Sequence, residues 1–325
     1  MRNYRSLCLL FAVVFVQSLP AQDSLERGYG FITEENARNI IAVLASDSLQ
    51  GREAGCVGGC MAADYIVSLM DKAGLLVLEQ PFIAVKNVNN WITSADTDIT
   101  ALIEQGNENR RLRNIIAVLP GSGEGTVVVG AHYDHLGTDT TIVGDQCYNG
   151  ADDNASGVSA VLQIAIAMKM SGARPRRTMV FAFWDGEEKG LLGSRYFVRK
   201  HPAIDDIVAY MNFDMVGRGP VDNPKHLSYL YTAANPLFGD WLRADAELRA
   251  FCFEPSYKAS ENLLGGSDNA PFARAGVPIV WYHTEGHPDY HRPSDTYDKV
   301  DYPKLLDITR AAYLCAWRLA NETEF

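Results

Sequence analysis

The chain has 325 residues, of which 47% are hydrophobic and 21% charged. This composition excludes an intrinsically disordered chain, and the length suits one large domain. The formal net charge of −11 disfavours nucleic acid and anionic lipid as partners, because both repel an acidic surface.

The first residues predict an export signal. Arg2 and Arg5 give it a positive start, and the apolar stretch at 7–16 is too short to span a membrane. A small-residue cleavage site ends at Ala21. We therefore expect a signal peptide over residues 1–21 and one domain over residues 22–325. The protein is expected to be periplasmic or extracellular, without a stable membrane anchor.

Five cysteines follow the predicted cleavage site, an odd number. Cys56 and Cys60, in the segment GCVGGC, are expected to form a small disulfide or to remain two free thiols. A zinc site there would lack its other two ligands. The hydrophobic core, and not a disulfide framework, must therefore provide most of the stability.

The predicted elements change character along the chain. Helices at 34–44 and 61–73 precede strands at 76–85, 92–102 and 114–119. Apolar strands and helices then alternate, which predicts an α/β fold with a mixed, mostly parallel sheet covered by helices on both faces. In this part of the chain the expected strands are 126–134, 178–188, 207–214 and 277–282, and the expected helices are 156–170, 190–200, 236–248, 268–275 and 303–319.

Carboxylates and imidazoles follow several of these strands or open a helix. Ligands in α/β folds bind beyond the carboxyl ends of strands, so these side chains are expected to meet at one rim of the sheet. Histidines with several carboxylates and no thiolate suit a hydrolytic zinc site, especially one with two metals. The residues are His132, Asp134, Asp152, Asp153, Glu187, Glu188, Asp214, His283, His287 and His291.

The last three of these histidines are spaced four residues apart in the segment HTEGHPDYH. On a helix this spacing would align three imidazoles for one metal. Gly286 and Pro288 lie between them, however, and Pro288 would break a helix. The segment is therefore expected to be a loop, and the spacing is no argument for a three-histidine site.

The order of the motifs HxD, GADDNASG, DGEE, NFDM and YHRPSDT resembles that of the secreted co-catalytic di-zinc aminopeptidases. Glutaminyl cyclases and the glutamate carboxypeptidase II and transferrin receptor ectodomains are relatives of that family. The resemblance covers about residues 110–320. It implies a zinc peptidase domain that binds two zinc ions and removes N-terminal residues from peptide substrates.

The resemblance also assigns the metal ligands. His132 and Asp214 are expected to bind one zinc ion, and Glu188 and His291 the other. Asp152 is expected to bridge the two ions. In this family the peptide bond after the bridging aspartate is often cis, so the bond between Asp152 and Asp153 is expected to be cis.

Two residues have expected roles in catalysis. Glu187 is the expected general base, which takes a proton from the zinc-activated water and returns it to the leaving amine. Tyr290 is a candidate donor to the oxyanion, with a packed aromatic side chain as the alternative.

Several assignments have alternatives. His135 competes with His132 as a ligand, and Asp153 competes with Asp152. Because residues two apart in a strand share a face, Asp134 is expected to lie behind His132 and fix its tautomer.

Two aspartates outside these ligand positions have expected structural roles. Asp268 is expected to cap the helix that it precedes. Asp295 is expected either to orient His291 or to cap a turn.

Other activities fit the same fold. A glutaminyl cyclase-like acyltransferase would use one zinc ion and share several of these motifs. A zinc carboxypeptidase or dipeptidase would need a basic cluster in the cleft, and only scattered arginines are present. A receptor-like ectodomain would have lost ligands, whereas all the expected ligands and the base are present here.

Overall fold

The computed structural model describes residues 21–323. The predicted signal peptide lies outside these residues except for Ala21, the first residue of α1. The helices are α1 (Ala21–Tyr29), α2 (Glu34–Leu44), α3 (Val57–Lys72), α4 (Thr100–Glu104), α5 (Gly157–Met170), α6 (Leu192–Lys200), α7 (Leu237–Arg249), α8 (Asn269–Arg274) and α9 (Tyr302–Asn321). Within the described range, no helix combines the length and apolar character needed to cross a membrane.

A nine-stranded sheet forms the centre of the molecule, in the order β2-β1-β3-β5-β4-β6-β9-β7-β8. The pairs β5–β4, β4–β6, β6–β9 and β7–β8 are parallel, and the other four pairs are antiparallel. The strands are β1 (Leu76–Asn87), β2 (Asn90–Thr93), β3 (Asn109–Leu119), β4 (Thr126–His132), β5 (Thr178–Trp184), β6 (Ile207–Phe213), β7 (His226–Thr232), β8 (Glu254–Ser260) and β9 (Ile279–His283).

Helices cover both faces of this sheet because its central strands are apolar on both sides. Val127 and Val129 of β4 pack into the larger core, which contains α5 and α9. Val128, which points the opposite way, packs into a smaller core with Phe197 of α6 and Phe272 of α8. The predicted fold class, an α/β fold with a mixed sheet between two helical layers, is confirmed.

Two parts of the predicted secondary structure were wrong. The expected strand at 92–102 ends at Thr93, where Asp96 accepts hydrogen bonds from the N–H and hydroxyl of Thr93 and closes a turn. Asp98 then accepts the N–H of Thr100, with which the short helix α4 begins. The strands β7 and β8 were not predicted.

One buried arginine joins three segments beneath the carboxyl end of the sheet. The Arg52 side chain is 1% exposed and donates to four backbone carbonyls, those of Leu44, Tyr133, Asn149 and Gly150, at 2.5–3.0 Å. Burial lowers the pKa of this guanidinium to about 10. Arg52 therefore fixes the loop that leads into the segment at 151–156 to the end of β4.

Arg52→Lys is expected to destabilise the protein by about 3 kcal/mol, because one ammonium cannot replace a guanidinium fork and leaves buried carbonyls unpaired. Urea unfolding followed by circular dichroism measures this loss. Arg111→Lys is the control, since Arg111 is an exposed residue of β3 and its substitution should change stability by less than about 0.5 kcal/mol. Equal effects of the two substitutions would contradict the role of Arg52.

Candidate metal centre

The polar residues at the strand ends line one cavity of about 230 Å³. His132 is the last residue of β4, and Asp214 directly follows β6. Glu187 and Glu188 lie in the turn after β5, which Gly186 enters with a φ of 74°. The structure therefore brings the predicted strand-end groups together at one rim of the sheet.

Asp153 lies between two of the imidazoles that line this cavity. Its Oδ1 is 3.4 Å from Nε2 of His132, and its Oδ2 is 3.1 Å from Nε2 of His291. Nε2 of His132 is also 3.5 Å from Oδ1 of Asp214, and Nε2 of His291 is 3.4 Å from Oε2 of Glu188. Asp153 thus has the position expected of a bridging carboxylate.

The structure corrects the assignment of Asp152 as the bridging residue. Asp152 is buried on the other side of the segment, where its Oδ1 accepts the N–H of Gly217 at 2.6 Å and its Oδ2 lies 3.2 Å from Nε2 of His287. Consecutive residues in this irregular segment point in different directions, so only Asp153 reaches the cavity. The cis peptide bond lies between Asp153 and Asn154, one residue later than expected.

Asp134 supports the site in a way that strand alternation did not predict. Nδ1 of His132 is 3.2 Å from the backbone oxygen of Asp134, and a carbonyl can only accept, so Nδ1 carries the proton. The Asp134 carboxylate instead accepts the backbone N–H groups of Glu187 and Glu188, at 2.9 and 3.3 Å. Asp134 therefore fixes the tautomer of His132 and the turn that carries both glutamates.

The pKa values of the adjacent residues Glu187 and Glu188 are shifted in opposite directions. Burial, reinforced by the charges of Asp214 and Asp268, raises the pKa of Glu187 well above its ordinary value. Burial also acts to raise the pKa of Glu188, but hydrogen bonds with His135 and His291 lower it below its ordinary value. The two carboxyl groups therefore have distinct surroundings, as their separate expected roles require.

The histidine that ends β9 and the two in the loop that follows lie in three different environments. His283 lines the cavity, and its Nδ1 donates to the backbone oxygen of Asp214 at 2.7 Å. His287 is buried beside Asp152, and His291 faces Asp153. Tyr290 lines the cavity and stacks on the ring of His291, with ring centres 3.8 Å apart.

Three residues at the site have contacts that sequence reasoning did not find. His135 is completely buried with its Nδ1 2.7 Å from Oε1 of Glu188. Asp268 makes no side-chain cap on α8; its Oδ1 accepts the hydroxyl of Ser194, and burial raises its pKa to about 7. Oδ2 of Asp295 accepts the N–H groups of residues 152 and 153, at 2.9 and 3.1 Å. No sequence pattern indicates these contacts, because the partners are far apart in the chain.

The donor set fits divalent metal ions. With Nδ1 of His132 protonated, Nε2 faces the carboxylates of Asp153 and Asp214. This arrangement requires positive charge, which either a second proton on the ring or a metal ion bound by Nε2 supplies. Zinc bonds of 2.0–2.2 Å at tetrahedral angles place neighbouring ligand atoms about 3.4 Å apart. The separations at Asp153, at 3.1–3.4 Å, match this spacing.

Among residues 21–323, two groups of three side chains have potential ligand atoms that lie within 4.8 Å of one another. One group is His132, Glu187 and Asp214, and the other is His135, Asp153 and Glu188. The second group contains His135 in place of the predicted His291. Since Nδ1 of His135 is engaged in a hydrogen bond to Glu188, His291 remains the better candidate for the metal.

Comparison with known sequences places these motifs in a family. The sequence model of peptidase family M28 matches residues 114–316, which is more than half of the chain. A probable leucine aminopeptidase of Arthroderma otae is 32% identical over 221 residues, 64% of this chain and 57% of that protein. The chain therefore spans little more than half the length of this curated relative. The predicted family resemblance is confirmed.

Solved structures with the same fold include a zinc aminopeptidase, BSAP, from Bacillus subtilis. Its TM-score is 0.69 at 18% identity, covering 90% of this chain and 96% of that chain. Glutaminyl cyclase of Porphyromonas gingivalis has a TM-score of 0.64 at 19% identity, covering 88% and 99%. At such low sequence identity, these two structural similarities establish only the shared fold.

The two consecutive aspartates are expected to differ in metal binding. Asp153→Asn removes the carboxylate that faces both imidazoles, so the affinity for zinc should fall by more than about a hundredfold at both positions. Asp152→Asn keeps an oxygen for the N–H of Gly217 and should retain both zinc ions. Titration of chelator-treated protein with zinc, in competition with a chromogenic chelator, measures both affinities. Two tightly bound zinc ions in the Asp153 variant would contradict the bridging position.

Proposed function

Because the chain belongs to peptidase family M28, we propose that it is a zinc-dependent aminopeptidase that removes N-terminal residues from peptides. The observation that carries this proposal is the placement of Asp153 between the imidazoles of His132 and His291. That placement suits a pair of metal ions sharing one carboxylate, an arrangement used for hydrolysis.

His132 and Asp214 would hold one zinc ion, and Glu188 and His291 the other, with Asp153 shared. When bound, zinc supplies Lewis acid chemistry, polarising a carbonyl and lowering the pKa of water. Asp134 and Asp295 hold the main chain beneath these ligands, through the N–H groups that their carboxylates accept. The ligands are therefore preorganised by the fold.

Glu187 is the general base of the proposed reaction. It lines the same cavity as the ligands, and its backbone N–H is held by Asp134 at 2.9 Å. In the ionised form it takes the proton of the attacking water and then donates it to the nitrogen of the leaving amine. Its neighbour Glu188 is occupied by His135 and His291, so the proton transfer falls to Glu187.

Tyr290 would donate to the oxyanion that develops on the scissile carbonyl. Its ring stacks on His291 at the cavity wall and its side chain is 44% exposed there, so the hydroxyl can meet a substrate. Burial and the nearby carboxylates raise the pKa of Tyr290, which keeps the hydroxyl protonated and able to donate.

The proposed place of action is the periplasm or the extracellular space. Support comes from the first residues of the sequence: Arg2 and Arg5, an apolar stretch, and a small-residue site ending at Ala21. The formal net charge without the two arginines of this segment is −13, because 27 basic residues then face 40 acidic ones. An acidic surface of this kind suits peptide substrates with a free, positively charged amino terminus.

A substrate panel tests the activity. Aminoacyl anilides with a free amino group should be hydrolysed, and their N-acetylated forms should not, because the proposed enzyme attacks the first peptide bond after a free amine. Anilide release is followed by absorbance in zinc-loaded protein. Release of ammonia from an N-terminal glutamine peptide, with one zinc ion per chain, would overturn the proposal in favour of a glutaminyl cyclase.

The general base is tested by Glu187→Gln. The variant should lose about 10²–10⁴-fold in kcat, because the amide cannot accept the proton, while still binding two zinc ions. Steady-state kinetics and metal analysis give both quantities. Glu254→Gln, at an exposed position on β8, is the matched control and should keep full activity. Full activity of the Glu187 variant would show that another group is the base.

A further inference from the structure

His135 is an imidazole beside the metal centre that has no role in the proposed reaction. Its side chain is completely buried, and its Nδ1 lies 2.7 Å from Oε1 of Glu188. Its Nε2 has no hydrogen-bond partner among the described residues. A buried imidazole with one strong contact to a proposed ligand calls for a function.

The ring of His135 is held in one orientation by the backbone around it. A side-chain carbon added at Gly150 would lie 2.5 Å from Cδ2 of the ring, so the loop backbone packs directly against its edge. The backbone N–H of His135 donates to the oxygen of Arg52 at 3.2 Å. Nδ1 is therefore aimed at Glu188 by the fold itself.

The contacts of the two Glu188 oxygens distinguish His135 from a metal ligand. Oε1 is the partner of His135, whereas Oε2 faces Nε2 of His291 at 3.4 Å. Nδ1 of His135 is 3.8 Å from Oδ2 of Asp153, which is 3.1 Å from His291. An ionised carboxylate only accepts, so Nδ1 of His135 carries the proton and has no lone pair for a metal.

We infer that His135 is a positioning residue, whose Nδ1–H fixes Oε1 of Glu188 and so presents Oε2 to the zinc ion shared with Asp153 and His291. This inference rests on the zinc sites of the proposed function. The preceding residue completes the arrangement, because Asp134 binds the backbone N–H of Glu188. Residues 134 and 135 thus fix the main chain and the side chain of one ligand.

Hydrogen bonds of this kind have a measurable effect on metal affinity. Removing a group that orients a metal ligand typically weakens metal binding by about 10–100-fold. The effect should be confined to the zinc ion held by Glu188, because the residues of the other position, His132 and Asp214, do not contact His135 by hydrogen bond or ion pair among the described residues.

Three substitutions separate positioning from packing. His135→Leu keeps an apolar side chain of similar size without a donor. His135→Asn places an amide N–H close to the position of Nδ1, and His135→Gln places one close to the position of Nε2. His201→Leu, at a histidine following α6, is the control for loss of an imidazole elsewhere.

The measurement is zinc titration of the chelator-treated full-length chain against a chromogenic chelator, which reports the two affinities without any need for activity. We expect His135→Leu and His135→Gln to weaken one of the two zinc sites by about 10–100-fold. His135→Asn should restore most of that loss, and the His201 variant should behave like the wild type. If the leucine variant fails to fold, the asparagine and glutamine variants make the same comparison.

Two results would overturn the inference. If the His135→Asn variant loses as much zinc affinity as the His135→Leu and His135→Gln variants, the imidazole itself binds zinc. If none of the three substitutions changes either affinity, the contact with Glu188 does not position the ligand. Failure of the proposed function is recognised separately, since the affinities can follow the expected order in a protein that hydrolyses no aminoacyl substrate.

Discussion

The close packing of buried carboxylates at the carboxyl end of the sheet is the constraint on which the rest of the site depends. Burial raises the pKa of Glu187 well above its ordinary value, and the neighbouring carboxylates add to this. Burial acts to lower the pKa of His132, yet nearby carboxylates, led by that of Glu187, raise it well above its ordinary value. Carboxylates packed this closely repel one another strongly in a region of low dielectric constant. The cluster therefore needs added positive charge, which a proton on His132 supplies in part and two divalent cations supply fully.

The fold holds this unfavourable cluster in place by hydrogen bonds to the main chain. Asp134 binds two N–H groups of the turn after β5, and Asp295 binds two N–H groups of the segment that carries Asp153. Arg52 adds four bonds from a buried cation to carbonyls of the same region. Asp134 and Asp295 use their carboxylate oxygens to hold the main chain and do not line the cavity, so they support the ligands from beneath.

Much of the fold could be predicted from the sequence because the central strands are continuously apolar and alternate with segments of helical length, such as the largely buried α5 and the partly exposed α6. β8 could not, since it is an edge strand whose side chains are half exposed and polar, with no hydrophobic pattern to mark it. β7 does have such a pattern, with Leu227, Tyr229 and Tyr231 buried at alternate positions, and sequence reasoning missed it. The rim of the site could also be predicted, because polar residues follow buried strands at His132, Glu187 and Asp214. The choice between Asp152 and Asp153 could not, because neither periodicity nor spacing determines which of two adjacent side chains in an irregular segment faces the cavity.

The histidines of the loop after β9 illustrate what spacing can mean without a helix. His287 and His291 are four residues apart in sequence, and their Nε2 atoms lie 3.2 and 3.1 Å from carboxylate oxygens of the adjacent residues Asp152 and Asp153. Asp295, in the same loop, binds the backbone of those two aspartates. The loop and the aspartate segment are therefore joined by several contacts. Asp152 lies beneath the site, and Asp153 lies in the cavity. Since a shift of one residue would exchange these roles, the backbone bonds to Asp295 set which carboxylate the cavity receives.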